Sequence, residues 1–246
     1  MFIEYGKLST IVYNHTKKVG TSLDGDLEFY SNILKNTKGK ILEAGVGTGR
    51  LLIPFLQLEY NIEGVDISSS MLKQCQINMD KYNVKTNLYQ QNLLELNLNT
   101  SYEKIIMPTG SFCLLPKDQI EIFLNNILNH LNSNGKFIFD LIFPINYKEK
   151  YFEQYSFEIS NNYGVIYTTF NENIDWINQK TTTISKYELV ENGVVKETEY
   201  SNFICYWYGL NEIKLLLKSN GFKNIEIIKD YNSNINSNIY TVIASK

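Results

Sequence analysis

Ile41-Leu42-Glu43-Ala44-Gly45-Val46-Gly47-Thr48-Gly49-Arg50-Leu51 is an apolar run that meets an acid and then three alternating glycines. A strand entering a glycine turn lets the backbone approach a ligand with no Cβ in the way, and the spacing places a helix directly after the turn. Working outward, Asn61-Ile62-Glu63-Gly64-Val65-Asp66-Ile67 is a second apolar run that ends in an acid. Ser68-Ser69-Ser70-Met71-Leu72 follows as a cap leading into another helix. The two runs describe a βαβ unit shaped for a nucleoside-type cofactor, with acids at neighbouring strand tips.

The dinucleotide fingerprint Gly-x-Gly-x-x-Gly fits poorly, because Arg50 stands where its last glycine would be. Glu43, two residues before the first glycine, would repel a pyrophosphate and favour a cationic amino-acid moiety. With Glu43, the three glycines and Asp66 in order, the chain resembles the class I S-adenosylmethionine (SAM) dependent methyltransferases. That resemblance implies that Glu43, Gly45, Val46 and Gly47 lie against the methionine portion of SAM, that Asp66 accepts from the ribose hydroxyls, and that Ile67 and Met71 flank the adenine. The family places Gly-Asp after the third strand, where this chain has Gln91-Asn92-Leu93. An asparagine oxygen can accept from the adenine amine as a carboxylate would, so Asn92, with Leu93, joins the expected cofactor set. Thr109 and Tyr13 complete it, Thr109 through its backbone and Tyr13 from the N-terminal cover.

Acceptor chemistry is less legible. Pro108-Thr109-Gly110-Ser111-Phe112-Cys113 follows the fourth strand where the family's cofactor and acceptor meet, so Phe112 is a candidate acceptor wall. The Asp/Asn-Pro-Pro-aromatic motif of enzymes that methylate DNA base amines is absent. Tyr206, Trp207 and Tyr208 end an aromatic stretch; Tyr206 and Tyr208 face the same way in a strand and are candidates to box an acceptor. His15 and Tyr13, in a segment of low apolar periodicity read as a cover loop, and Asp140, at a strand end, are the candidate proton-handling groups. Each has a structural alternative: an idle loop histidine, a packing tyrosine, an aspartate that caps a loop.

The 246-residue length, 43% hydrophobic content and net charge of −3 fit one α/β unit. Arg50 is the only arginine and the lysines form no stripe, which argues against a nucleic-acid surface. Cys75, Cys113 and Cys205 lie far apart and histidine occurs only at positions 15 and 130, so neither disulfides nor a metal centre is expected. Without a leader-like start or a long apolar span, a cytoplasmic protein is expected.

Helices are expected over Asp24–Leu34, Arg50–Leu58, Ser68–Tyr82, Lys117–Leu131 and Leu210–Ser219, alternating with strands near 40–44, 61–66, 85–90, 103–107 and 135–141. Asn132-Ser133-Asn134-Gly135 reads as a turn that caps the helix ending at His130. From Phe157 to Trp207 the texture becomes Tyr-, Thr-, Ile- and Val-rich, with hairpin signals at Asn161-Asn162 and Asn192-Gly193. The expectation is a doubly wound, mostly parallel seven-stranded sheet with helices on both faces, a cover at about 1–38 and an antiparallel β lid inserted at about 152–208. Its partner would be SAM plus a small-molecule methyl acceptor at nitrogen or oxygen, as a monomer or a homodimer. A SAM-binding module without turnover, or a nicotinamide-dependent oxidoreductase, stands as the alternative.

Overall fold

The computed structural model describes residues 5–232 and 238–246, so residues 1–4 of the expected cover lie outside it. In chain order the elements are α1 (Lys7–Thr16), α2 (Asp26–Leu34), β1 (Ile41–Ala44), α3 (Leu52–Gln57), β2 (Ile62–Asp66), α4 (Ser69–Lys81), β3 (Leu88–Gln90) and β4 (Tyr102–Met107). They continue with α5 (Ile120–His130), β5 (Leu131–Ile142), β6 (Tyr151–Ser160), β7 (Tyr163–Asp175), β8 (Lys180–Glu191), β9 (Val194–Tyr206), α6 (Leu210–Ser219), β10 (Lys223–Lys229) and β11 (Ile239–Ser245).

Seven strands form one sheet in the order β10-β11-β5-β4-β1-β2-β3. The β1, β2, β3, β4 and β5 strands run parallel, and β11 pairs antiparallel with both β5 and β10. Strand alternation divides the core between two faces. Leu42, Ala44, Ile105, Met107, Phe137 and Phe139 pack with Phe123, Ile127 and Leu217 from α5 and α6. Their neighbours Ile41, Ile106 and Ile138 pack instead with Tyr30, Phe55, Leu72 and Met79 from α2, α3 and α4. Both faces are therefore covered, as near-continuous apolar strands require. The chain order reverses where β1 lies between β2 and β4, which makes the carboxyl ends of these strands the expected ligand edge.

The β6, β7, β8 and β9 strands form a separate antiparallel sheet. Two of its three turns fall where the hairpin signals stand, with Asn162, Asn192 and Gly193 at positive φ, and the third joins Asp175 to Lys180 without such a signal. Between the two sheets lies α1, where a cover loop was expected. Leu8 and Val12 pack on Val165 and Leu189 of the lid, and the opposite contact is to α4 through Asn78 Nδ2 donating to Asn14 Oδ1 (2.8 Å). The apolar period looked weak because half of the buried helix face is polar: Ser9 and Thr10 are both buried and return hydroxyl bonds to Gly6 O.

Other boundaries shift for local reasons. The second helix starts at Asp26 because Gly25 takes a left-handed conformation just before it. The third covers only Leu52–Gln57. Ser68 caps α4 as its sequence suggests, accepting from Met71 N at 3.1 Å. Asn132–Gly135 is not a capping turn. The chain passes from α5 directly into β5 at Leu131, which pairs with Tyr102 before a register shift leads to the Lys104–Lys136 pair.

Candidate functional site

The glycine turn after β1 forms as its residues dictate. Gly45 and Gly49 both have positive φ, 77° and 82°. A Cβ on Gly49 would meet Cys75 Sγ at 2.8 Å and Ile53 Cδ1 at 3.1 Å, so the turn closes onto α3 and α4 only with glycine there. Arg50 follows the turn, close enough to Glu43 and Tyr13 for its charge to act on both. Its guanidinium binds both oxygens of the fully buried Asp26 and donates to Thr21 O at 2.8 Å, pinning the segment before α2.

At the ligand edge is a cavity of about 360 Å³ lined by Gly45, Gly47, Asp66, Ile67, Met71, Asn92 and Leu93, together with Tyr5, Tyr13, Leu94, Met107, Ser111, Leu114, Leu115 and Pro116. Asp66 Oδ2 accepts from Gly47 N and Oδ1 from Ser68 N, both at 2.9 Å, which locks the carboxylate against the turn while each oxygen keeps lone-pair capacity. Burial raises its pKa above the usual carboxylate range, and those backbone donors oppose the shift. Asn92 lines the cavity and also caps a 3₁₀ turn, its Oδ1 accepting from Leu94 N at 3.0 Å. The expected cofactor contact and the turn asparagine are the same side chain. Tyr13, on α1, lies over the turn, its ring edge 4.0 Å from where a Gly47 Cβ would stand.

Glu43 is buried at the root of the turn rather than in the cavity lining, and its Oε2 has no hydrogen-bond partner among the described residues. Burial pushes its pKa to about 8; the Arg50 charge opposes this, and Asp26 and Asp66 add to it. Val46 is buried beside it, with its N–H given to Val65 O at 3.0 Å.

Six other residues singled out in the sequence lie outside the lining of this cavity. Asp140 is fully buried and accepts four hydrogen bonds: Tyr30 Oη (3.0 Å) and Thr241 Oγ1 (2.6 Å) on Oδ1, Tyr231 Oη (2.7 Å) and Thr109 N (2.7 Å) on Oδ2. These four donors occupy its lone pairs, and the bond from Thr109 anchors the turn after β4. Burial lifts its pKa to about 6 against the pull of those donors. Thr109 correspondingly gives its N–H to Asp140, adopts positive φ (53°), and lines no cavity described. Phe112, the expected acceptor wall, is fully buried in the core and stacks on Phe139 at 4.3 Å. Tyr208 packs edge-on to Phe112 at 5.3 Å with Lys117 over its ring at 4.4 Å, and Tyr206 packs against the same core. His15, in the last turn of α1, packs on Phe157 with ring centres 6.0 Å apart and also lines neither cavity.

Residues that the sequence reading missed have recognisable signals in retrospect. Leu114-Leu115-Pro116 is an apolar run stopped by proline just after the fourth strand's turn, and supplies the apolar wall of the cavity. Tyr5 has no such signal. Its position follows from Ser68 Oγ donating to Tyr5 O at 2.6 Å, a contact across 63 residues. Among the described residues there is no cluster of three or more metal-ligating side chains, and no helix is long and apolar enough to cross a membrane.

The sheet order, the glycine turn and the two strand-tip acids define a class I SAM-dependent methyltransferase domain. Residues 41–135 match the family model described as a methyltransferase domain, so the chain carries a SAM-dependent methyltransferase domain. It is similar to the carboxy-S-adenosyl-L-methionine synthase of Campylobacter fetus, 27% identical over 209 residues that make up 84% of this chain and 77% of the relative. Two solved structures share the fold: a SAM-dependent methyltransferase from Clostridium acetobutylicum (TM-score 0.75, 18% identity, 96% of each chain covered), and the sugar N-methyltransferase KedS8 from Streptoalloteichus (TM-score 0.78, 13% identity, covering 100% of this chain and 96% of the other).

Proposed function

We propose that the chain transfers the methyl group of SAM to a nitrogen or oxygen of a small molecule, with the cofactor seated in the cavity at the ends of β1, β2 and β4. The observation that carries this reading is the unpartnered, buried Glu43 Oε2 beside the glycine turn. A buried carboxylate without a donor is costly, and a ligand ammonium is the group that relieves it. A pyrophosphate would deepen the cost, which disfavours a nicotinamide dinucleotide. Asp66, with lone pairs to spare at the neighbouring strand tip, suits ribose hydroxyls, and Ile67, Met71, Leu93 and Leu115 suit an adenine face.

Bound SAM supplies an activated methyl carbon whose bond to sulfur breaks as the bond to the acceptor forms, leaving a neutral thioether. The residues of this chain then have one main task, to hold donor and acceptor in line; such positioning is worth about 7–11 kcal/mol. Asp140 contributes by fixing the turn after β4, and Tyr13 by closing α1 over the glycine turn. The acceptor proton leaves to solvent, since Asp66, which faces the ribose in this reading, is the one carboxylate and no imidazole stands among the described residues lining the cofactor cavity. In this reading, residues 1–246 act as one unit, with the cover at about 1–38 and the lid at about 152–208 enclosing the acceptor.

KedS8 is a sugar N-methyltransferase and the Campylobacter protein makes a carboxylated SAM, so the relatives span two chemistries. Methyl transfer is favoured over handling of a carboxylated cofactor because the described residues lining the cofactor cavity include no lysine or arginine to balance the added anion. Titration with SAM and NAD in parallel, followed by release of S-adenosylhomocysteine in the presence of a metabolite panel, tests the proposal. Tight binding of NAD but not SAM would overturn it.

A further inference from the structure

A second cavity, of about 250 Å³, lies between α1 and the lid and shares Tyr5 and Tyr13 with the cofactor cavity. Its two walls follow from simple periodicity. On α1, Ser9, Val12, Tyr13 and Thr16 stand at i, i+3, i+4 and i+7, one face of a helix. On the lid, Thr183, Ser185 and Tyr187 alternate along β8, and Ser201 and Phe203 alternate along β9; register pairs Ser185 with Ser201 and Thr183 with Phe203. Tyr167 of β7 stands opposite Tyr187, its ring stacked 4.7 Å away at 14°.

The lining is rich in hydroxyls and contains no carboxylate. Its one charged group is Lys17, at the C-terminal end of α1, whose ammonium sits 4.6 Å above the Tyr13 ring. Lys17 makes no ion pair among the described residues, and its neighbour Arg50 is already committed to Asp26. Burial and the Arg50 charge lower its pKa while the Asp26 carboxylate raises it, and Asp26 has both oxygens bound by Arg50, so the ammonium has no carboxylate of its own. A half-buried cation with no ion-paired carboxylate among the described residues, facing a hydroxyl-lined cavity, is chemistry for an anion.

We propose that this chamber seats the methyl acceptor, and that Lys17 selects acceptors bearing a carboxylate or phosphate, while Tyr5 and Tyr13 mark the boundary across which the acceptor atom meets the donor. The inference rests on the methyltransferase reading above and adds the acceptor's chemical class to it. Hydroxyls from Thr183, Ser185 and Ser201 then hydrogen-bond the uncharged polar part of the acceptor, and the Tyr167–Tyr187 stack gives it an apolar floor.

The test uses the full chain saturated with S-adenosylhomocysteine and three probes: inorganic phosphate, acetate and tetramethylammonium. Backbone amide shifts of Thr16, Lys17, Ser185 and Ser201 report occupancy of the chamber by NMR. Phosphate or acetate should shift these amides saturably at millimolar concentration, and the stronger of the two identifies the preferred anion. Lys17→Met should weaken that binding at least tenfold and Lys17→Arg should retain it, while both variants hold S-adenosylhomocysteine with unchanged Kd. Anion binding that survives Lys17→Met, saturation by tetramethylammonium instead, or no anion response at these amides would overturn the inference. Failure to bind S-adenosylhomocysteine would strike the cofactor reading separately, because the anion titration can be repeated on the protein alone.

Discussion

Replacing Glu43 with glutamine should stabilise the cofactor-free protein in a pH-dependent way while weakening its hold on SAM. Glu43 has a pKa of about 8 in the folded chain against 4.5 as its ordinary value, because it is buried and its Oε2 lacks a donor. A folded pKa raised above the unfolded one means that the folded state binds the extra proton. Stability from this group is full below pH ~4.5 and is lost progressively as pH rises to about 8. At roughly 1.4 kcal/mol per pH unit, the loss reaches about 3 kcal/mol at pH 7 and levels near 5 kcal/mol above pH 8. The glutamine side chain has the same shape and no charge, so the advantage of Glu43→Gln should be about 1 kcal/mol at pH 5 and grow along that curve. For a chain of this size, about 3 kcal/mol corresponds to a Tm gain of roughly 6–12 °C at pH 7. Binding should respond in the opposite sense. A ligand ammonium beside Glu43 favours the ionised form, so the wild type should release close to one proton (about 0.9) on binding SAM at pH 7. Thermal melts from pH 5 to 9, and calorimetry in two buffers of different ionisation enthalpy, measure both effects. A Tm difference between wild type and Glu43→Gln that stays constant from pH 5 to 9, with no proton release, would refute the reasoning.

Asp66→Ala should weaken SAM binding by about 1.5–3 kcal/mol, or roughly 10- to 150-fold in Kd, because charge-assisted bonds to the ribose are lost; an unchanged Kd by calorimetry would remove Asp66 from the site. Glu199→Ala should cost about 1–2 kcal/mol, since Glu199 of the lid caps α1 from outside the helix, accepting from Leu8 N (2.8 Å), Ser9 N (3.0 Å) and Ser9 Oγ (2.7 Å). Hydrogen exchange should then accelerate across α1 and leave β4 and β5 protected; uniform acceleration would contradict a local cap. Asp26→Ala should destabilise by about 3–5 kcal/mol by stranding the buried Arg50 charge, readable as a lower urea midpoint, and an unaltered midpoint would mean that water already reaches Arg50.

Much of this molecule was legible in order along the chain. The apolar alternation that splits Leu42 and Ile41, or Phe139 and Ile138, between opposite faces of the sheet is a local property, as is the glycine turn between Glu43 and Asp66. The Asn192-Gly193 hairpin and the Ser68 cap are fixed by the backbone preferences of a few adjacent residues, so they appear where the sequence places them. Acids at strand tips next to a topological switch then follow from the order of the elements.

What only the tertiary structure decided is which polar groups remain available for chemistry. Asp140 looks free at a strand end, yet its capacity is used by Tyr30, Tyr231 and Thr241, which lie 110, 91 and 101 residues away. Lys7–Thr16 looks like a loop until the lid supplies its apolar partners, Val165 and Leu189, and its cap, Glu199, from far along the chain. Phe112 reads as an acceptor wall and Lys17 as one lysine among many; packing sends the first into the core and leaves the second facing a cavity. Backbone conformation is set by near neighbours and can be read from them, whereas the satisfaction of a hydrogen bond or a charge depends on atoms that meet only when the chain closes on itself.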